Sequence, residues 1–321
     1  MDNLELFIQN GDTLYFPAVE EGITWETERK GSPGKLTFNV VYDKDIRFEA
    51  GNAVRLRINN TDVFYGFVFS KKFDNNRIIT VTAYDQLRYL KNKDTVSYEN
   101  KTASDLIKKL AADFNLQVGT IEDSEYIIAS RIEKNQTLFD MIQTALDLTL
   151  QNKKRMYVLY DDFGKLTLKS IESMRLDLVV GAKTAENFSY QSSIEGSTYN
   201  KIKLSYPNEN TGKEDIYITQ DSNNMNTWGV LQYFDTIDEK TNGRAKADAL
   251  LKLYNKKTKN LSISNAIGDL RVRGGSGLII YLKDLEGVDI LSYMLVERVK
   301  HTFKNNEHMM ELTLRGGEFV V

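Results

Sequence analysis

Hydrophobic and polar residues alternate through much of the first 85 residues, with the period of two that is typical of strands with one wet face. Lys35–Val40 and Val54–Ile58 follow this alternation closely. Asp62–Phe69 and Arg77–Tyr84 are denser in apolar residues and predict more central strands. Asparagine-rich links such as Asn59-Asn60 separate these segments, as turns require. About six strands of this length predict a small barrel or sandwich.

The hydrophobic period changes to that of a helix at Thr102 and returns to that of a strand at Met156. Two helix starts in this stretch, Thr102–Ile107 and Thr137–Ile142, share the pattern T-x-x-D-[L/M]-I. Each threonine can cap its helix by accepting a hydrogen bond from a backbone N–H of the first turn. Each aspartate places negative charge near the positive end of the helix dipole. The segment therefore predicts two similar helices, followed by a β-hairpin with its turn at Asp161–Gly164.

The chain is again rich in predicted strands from about residue 187 onward. These strands lie at 201–205, 215–219, 277–282 and 309–314. One helix interrupts them, because Ala247, Leu250, Leu251 and Tyr254 recur at helical spacing between residue 243 and about residue 255. We expect this helix to plug or flank a second barrel.

The predicted fold class is therefore mainly β with an α/β insert. Two small tube-type β-barrel domains flank a two-helix α+β domain. The expected boundaries are 1–90 for the first barrel, 91–172 for the α+β insert, and 173–321 for the second barrel with its one helix.

Composition and charge narrow the range of functions. The chain has 42 basic and 45 acidic residues, and its net charge of −3 gives little support for nucleic-acid binding. Cysteine is absent, so disulfides and thiolate metal sites are excluded. The N-terminus lacks the pattern of a signal peptide, and no apolar run approaches the ~20 residues that a membrane helix needs. We expect a soluble protein, made in a cytoplasm, without a membrane anchor.

Candidate catalytic groups are few. The adjacent Asp161 and Asp162 could be the paired carboxylates of a glycoside hydrolase. They sit at a hairpin tip beside Gly164, where turn chemistry alone favours aspartate, and we prefer that interpretation. The glycine-rich run Arg271–Gly277 lacks the Lys-Ser/Thr of a phosphate-binding loop and opens no helix, so it predicts a loop before a strand. We expect no catalytic residues and no cofactor.

The two histidines, His301 and His308, lie seven residues apart in one predicted hairpin. With Lys304–Glu307 as the loop, Phe303 would face His308 and His301 would pair near Met310. The two imidazoles would then be diagonal neighbours on one side of the sheet. A shared metal is conceivable, but Glu307 alternates to the other face. We therefore expect a packing role, no metal, and a modest loss of stability if either ring is removed.

Several segments resemble one family in order and spacing along nearly the whole chain. They are Ala83–Leu90, Tyr98–Asp105, Asn135–Ile142, Asp162–Leu168, Ser197–Lys203, Val299–Phe303 and His308–Leu312. The family is the baseplate hub of contractile-tailed phages and phage-tail-like bacteriocins, of the XkdQ and late control protein D kind. The first strands, up to about Phe73, match it in pattern more than in residues.

This resemblance implies a structural role in a virion or tail-like particle, assembled in the cytoplasm of a bacterial host. In such hubs, three chains with two barrels each form a ring that joins the six-fold tail tube to the three-fold spike. The implied partners are further copies of the chain, the tube protein, the spike protein, and other baseplate or tape-measure proteins. Two alternatives remain open at this point. They are a carbohydrate- or receptor-binding β-module of a tail, and a tail-associated cell-wall hydrolase.

Overall fold

The computed structural model describes residues 3–196, 198–208, 212–237, 241–285 and 288–316, so Ser197 of the family-like segments lies outside the described residues. Its first strand set comprises seven strands. They are β1 (Leu4–Asn10), β2 (Thr13–Tyr15), β3 (Ile23–Glu28), β4 (Lys35–Val41), β5 (Ala53–Ile58), β6 (Thr61–Phe73) and β7 (Ile78–Tyr84). These bounds confirm the strands that alternation predicts between residues 35 and 84.

The insert follows directly. A 3-10 helix covers Gln86–Lys91, and the remaining elements are β8 (Lys93–Lys101), α1 (Ala103–Asp113), β9 (Val118–Ile121), β10 (Ile128–Thr137), α2 (Leu138–Lys153), β11 (Tyr157–Asp161) and β12 (Leu166–Ser170). Both predicted helices and the predicted hairpin are confirmed. Antiparallel β11 and β12 form the hairpin, and β12 also pairs in parallel with β9.

The rest of the chain mixes further strands with short helices. In chain order they are β13 (Arg175–Gly181), β14 (Asn187–Ser193), β15 (Lys201–Asn208), β16 (Lys213–Gln220), α3 (Ser222–Trp228), β17 (Gln232–Thr236), α4 (Gly243–Tyr254), β18 (Thr258–Ile267), β19 (Gly277–Leu285), β20 (Val288–Lys304) and β21 (Glu307–Gly316). We call β13, β14 and β18–β21 the second strand set. The predicted mainly β fold with a two-helix insert is confirmed.

One sheet runs through both strand sets. Its strand order is β18-β21-β20-β3-β4-β7-β6-β5-β1-β2, so β20 of the second set lies beside β3 of the first. The two strands are antiparallel, from Arg298 opposite Glu28 to Phe303 opposite Ile23. The side chain of Phe303 belongs to the hydrophobic core of the first set. The chain thus joins its two strand sets by main-chain pairing as well as by packing.

The insert has a hydrophobic core of its own. The apolar stripes of α1 and α2 are buried, with Ile107 and Met141 fully inaccessible, and Leu87 and Leu90 of the 3-10 helix join them. Thr102 accepts a hydrogen bond from the Asp105 amide at 3.1 Å, and Asp105 accepts one from the Thr102 amide at 3.1 Å, which completes a capping box. The predicted N-cap of α1 is confirmed.

Residues 190–260 form a separate compact unit. Its three-stranded sheet has the order β16-β15-β17, and α4 packs against β15 and β16. Ala247 and Leu250 of α4 are buried with Ile202 and Leu204 of β15. The helix that the sequence placed against a second barrel therefore covers this small sheet. The boundaries 1–90, 91–172 and 173–321 stay a prediction.

Within the part of the chain that the structure describes, no helix combines the length and the apolar character needed to cross a bilayer.

The capping box leads to a stability prediction. Replacing Thr102 with alanine removes the acceptor of the Asp105 amide, and we expect it to lower the free energy of unfolding by about 1 kcal/mol. Thr120→Ala is the matched control, because Thr120 is exposed in β9, and it should change stability by less than about 0.5 kcal/mol. Urea unfolding followed by far-ultraviolet circular dichroism measures both. Equal effects of the two changes would contradict the capping role.

Candidate functional site at the strand-set junction

Charged residues border the pairing of β20 with β3. The Arg29 guanidinium lies 2.8 Å from a Glu297 carboxylate oxygen, and the Arg29 amide donates to the Glu297 carbonyl at 2.8 Å. Glu26 accepts from Lys35 at 2.7 Å and also pairs with Arg298. Burial alone would raise the pKa of Glu26, but the hydrogen bonds from Lys35 and Arg298 outweigh it and lower that pKa. Ion pairs therefore connect β3 with β20 near Arg298, and Glu26 also links β3 to β4 through Lys35.

His301 lies inside this junction, and His308 lies beside it on β21, half-buried. His301 pairs with Met310 and Phe303 with His308 across the β20–β21 ladder, as the sequence predicts. The hairpin loop is tighter than expected, because Lys304 pairs with Glu307 and only two asparagines turn the chain, both at positive φ. The His301 ring is fully buried and stacks on Trp25 of β3 at a centroid distance of 4.7 Å.

Hydrogen bonds fix the tautomer of the His301 ring. His301 Nε2 lies 2.9 Å from the Val272 carbonyl oxygen, which can only accept, so Nε2 carries the proton. His301 Nδ1 must then accept from His308 Nε2, 2.8 Å away. Burial, and next the electrostatic effect of the neighbouring His308, lower the pKa of His301 to about 3. His301 is therefore a neutral ring whose two nitrogens are both engaged inside the protein.

The described part of the chain brings no further metal ligands to the histidine pair. Among the described residues, no group of three or more histidine, cysteine, aspartate or glutamate side chains is placed to hold an ion. Gly268 instead packs closely on the pair, since a Cβ there would overlap the His308 ring. This arrangement supports the packing role expected from the sequence.

A second buried polar group adjoins the junction. Asp85 caps the 3-10 helix by accepting from the Leu87 amide at 3.0 Å, and it accepts from the Gly34 amide at 2.8 Å. Arg273, from the glycine-rich loop, donates to the Asp161 carbonyl at 3.1 Å, and its guanidinium lies 4.3 Å from the centre of the Tyr160 ring. These residues line a cavity of about 20 Å³, which has room for roughly one water molecule.

The two carboxyl groups in this cavity share an unfavourable environment. Burial, and next the charge of Asp161, raise the pKa of Asp85 well above its usual range. Burial raises the pKa of Asp161 to about 6, although its Oδ1 accepts from the Gly164 amide at 2.6 Å. The other carboxyl oxygen of Asp161 is shielded from solvent. The pair therefore holds a proton more readily than two free aspartates do.

The carboxylate pair weighed from the sequence is not the one in the structure. Asp162 is exposed beyond the hairpin tip, and the carboxyl group that perturbs Asp85 is that of Asp161, 76 residues away in sequence. A cavity of about 20 Å³ cannot admit a sugar ring. Asp161 also performs the turn role that the sequence predicts, through its bond to Gly164. The geometry thus favours a structural role for these carboxyl groups.

A larger groove lies where the outer face of the first strand set meets the insert. It has a volume of about 430 Å³, and its walls include Tyr65, Phe67, Tyr89, Phe114 and Leu116. The amide of Gln86 already bonds the main chain of Gln117 in both directions, at 3.1 and 2.9 Å. Tyr65 and Phe67 stand on β6, Tyr89 on the 3-10 helix and Phe114 at the end of α1. All four rings are half-buried, unlike the loop-borne exposed aromatics expected of a carbohydrate-binding module.

Sequence reasoning did not single out Asp85 or Arg273. A signal for Arg273 existed, because the loop Arg271–Gly277 combines arginines with three glycines. Two of those glycines admit close approach, since a Cβ at Gly274 would overlap the Glu28 backbone and one at Gly275 would lie 2.8 Å from Val158. Asp85 ends a strand and caps a helix, which is a local signal, but its neighbour Asp161 is distant in sequence.

Comparison with known proteins gives a consistent result. The model of the YQBQ-like family matches residues 23–315. The uncharacterized protein YqbQ of Bacillus subtilis (strain 168) is 32% identical, over 96% of this chain and 95% of that protein. The phage-like element PBSX protein XkdQ of the same strain is 28% identical, over 96% of each chain.

Solved structures show the same fold at low sequence identity. The 43 kDa tail protein of prophage MuSo2 from Shewanella oneidensis aligns with a TM-score of 0.69 at 12% identity, over 97% of this chain and 98% of that one. The E. coli c3393 protein aligns with a TM-score of 0.57 at 12% identity, over 97% and 76%. That protein is described as a type VI secretion component with structural similarity to the T4 tail proteins gp27 and gp5. The chain is thus similar to phage tail and baseplate proteins.

The raised pKa of Asp161 predicts a pH-dependent gain of stability on its removal. A folded-state pKa near 6, against 3.8 when unfolded, means that wild-type stability falls as pH rises between these values. Asp161→Asn should therefore unfold with a free energy about 1–3 kcal/mol higher at pH 7.5, and the difference should shrink towards pH 4. Asp162→Asn, at the exposed neighbour, is the control. Urea unfolding at both pH values tests this, and a destabilised Asp161→Asn at pH 7.5 would contradict it.

The buried neutral His301 predicts the opposite pH dependence. Its folded pKa lies below that of the unfolded chain, so the wild type loses stability as pH falls below about 6.5. His301→Phe keeps a ring against Trp25 but leaves the Val272 carbonyl unpaired. We therefore expect it to lower the free energy of unfolding by about 2–4 kcal/mol at pH 7.5. This is more than the modest loss of stability expected from the sequence.

The stability gap between wild type and His301→Phe should narrow by roughly 2 kcal/mol between pH 7.5 and pH 5. Thr302→Val, the neighbouring change in β20, should keep the wild-type pH dependence. A gap that stays constant across this range would show that His301 titrates normally in the folded protein.

Proposed function

The chain belongs to the YQBQ-like family, and we propose that it is the structural hub of a contractile phage tail or phage-tail-like particle. In this proposal, three copies form a pseudo-hexameric ring between the hexameric tail tube and the trimeric spike. Its partners are then other copies of itself, the tube protein, the spike protein, and neighbouring baseplate or tape-measure proteins. It resides in the baseplate of the particle.

The observation that carries this proposal is the joining of two strand sets by one continuous sheet. Each chain supplies two strand sets, held side by side by β20 and β3, and in this proposal each set is one tube-type unit. Three such chains would present six similar units to a six-fold tube while keeping three-fold symmetry for a spike. The similarity to the MuSo2 tail protein and to XkdQ supports a tail location.

A structural role without catalysis agrees with the chemistry of the site. His301 is neutral and fully hydrogen-bonded, and Asp85 and Asp161 face a cavity with room for about one water. The neighbours in fold are tail proteins, which points to a non-enzymatic role. We therefore expect no hydrolysis of peptidoglycan by the purified chain.

The oligomeric state tests the proposal. We expect multi-angle light scattering of the concentrated chain to give three times the chain mass, and electron microscopy to show rings with three-fold symmetry. A chain that stays single at every concentration, alone and with its tube and spike proteins, would contradict the proposal. Peptidoglycan cleavage that is lost in Asp161→Asn would instead support a hydrolase.

A further inference from the structure

The two strand sets repeat one another in detail. Five backbone hydrogen bonds of the first set recur in the second. Four have donor and acceptor at matching positions, and in the fifth the acceptor Ser264 is one residue further from Ile267 than Asn39 is from Val41. Val41→Ala18 recurs as Ile267→Thr184, Glu20→Asn39 as Glu186→Ser264, Tyr42→Arg77 as Gly268→His308, Gly51→Val68 as Gly275→Val296, and Val68→Asn52 as Val296→Ser276, each from amide to carbonyl. The equivalent strands are therefore β3 and β14, β4 and β18, β5 and β19, β6 and β20, and β7 and β21.

The long strands β6 and β20 carry the same irregularity at the same place. The ladder of β6 with β7 shifts register between Val68 and Ser70, and that of β20 with β21 between Val296 and Arg298. Each strand pairs with one neighbour in its first half and with another in its second half, and the N-terminal part of β20 pairs with β19 before the rest pairs with β21. Residues 61–67 of β6 pair with β5, and the remainder of β6 pairs with β7. In this respect β6 is a copy of β20.

The two strands differ in what lies on the second edge of their C-terminal halves. In β20, residues 298–303 pair with β21 on one edge and with β3 on the other. In β6, the equivalent stretch Ser70–Phe73 pairs with β7 alone among the described strands. All four of its side chains are exposed. The first strand set thus presents an open edge where the second set receives β3.

The strand that corresponds to β3 has the complementary open edge. β3 pairs with β4 and with β20, whereas β14 pairs with β18 alone in the described part of the chain. None of the residues of β14 is buried, in contrast to Ile23 and Trp25 of β3. The described chain therefore carries two complementary open edges, one on Ser70–Phe73 of β6 and one on β14.

We propose that Ser70–Phe73 of one copy pairs antiparallel with β14 of the next copy, which repeats between chains the β20–β3 pairing within the chain. This interface rests on the proposed hub function, because head-to-tail pairing closes into a ring only for a fitting number of copies. Pairing also removes the exposed edges that otherwise invite aggregation.

The internal pairing fixes the register of the interface. Within the chain, Lys300 of β20 lies opposite Glu26 of β3, and Arg298 lies opposite Glu28. By the strand equivalences, the interface should place Lys72 of one copy opposite Ser192 of the next, and Ser70 opposite residue 194. The Glu297 and Phe303 carbonyls accept from the chain at the two ends of β3, so by alternation the main chain of Val299, between them, also faces β3. Lys71 is the equivalent of Val299 in β6, and its main chain therefore points to the open edge. Lys71 then lies diagonally across from Glu195, an exposed residue of opposite charge.

Engineered cysteines test this register, because the chain has no cysteine of its own. We expect Lys72→Cys combined with Ser192→Cys to form disulfides between chains under mild oxidation, giving linked species of two and three chains on a non-reducing gel. The matched control is Lys72→Cys with Gln191→Cys, whose side chains would stand on opposite faces of the sheet. The control should give at least tenfold less cross-linked product.

A proline substitution tests the same edge of β6 through its main chain. Lys71→Pro removes the amide that would donate to β14, whereas Lys71→Ala removes the same side-chain contacts with Phe48 and Glu49 but keeps that amide. We expect Lys71→Pro to abolish the three-chain species in light scattering and Lys71→Ala to retain it, both with the circular dichroism of the wild type.

The outcomes separate this interface from the hub function. Three-chain rings that form without cross-linking of the matched cysteine pair, or that survive Lys71→Pro, would overturn the interface and leave the hub proposal standing. A chain that never associates would overturn both. Equal cross-linking of the two cysteine pairs would also contradict the proposed register.

Discussion

The pairing of β20 with β3 is the interaction on which the rest of this structure depends. It joins strands about 275 residues apart in sequence, and it buries the neutral His301 ring against Trp25. On one side it sends Phe303 into the first hydrophobic core, and on the other the Arg29–Glu297 ion pair closes it. Without this pairing, each strand set would keep a ladder and a core but would lack a fixed position relative to the other.

The junction tolerates buried polar groups because each has a specific partner or a proton. His301 avoids a buried charge by remaining neutral and using both nitrogens. Asp85 and Asp161 lie together in a small cavity, and Arg273 reaches them from the second strand set while it covers Tyr160. The Arg273 guanidinium thus connects the insert hairpin with both strand sets. The raised pKa values of the carboxyl groups and the lowered pKa of His301 pull stability in opposite directions as pH changes.

Much of the local structure could be predicted from the sequence. The capped helices, the insert hairpin and the His301–Met310 pairing follow from short-range patterns: periodicity, N-cap chemistry and alternation on either side of the turn expected at Lys304–Glu307. The β20–β3 pairing and the meeting of Asp85 with Asp161 could not, because periodicity does not say which distant strands become neighbours. The unit at 190–260 was missed for a similar reason, since its helix has the same amphipathic pattern whichever sheet it covers.

Residue-resolved hydrogen exchange, on the chain diluted until light scattering shows a single copy, tests the central role of this pairing most directly. If β3 and β20 hold the two strand sets together, the amides of Trp25 and His301 should exchange only through the most costly opening of the chain. The amides of Lys71 and Phe73, on the open edge of β6, should exchange rapidly in the same sample. The opposite result, early opening of β3 and β20 while β4 and β19 stay protected, would show that the strand sets are stable separately and that the junction is secondary.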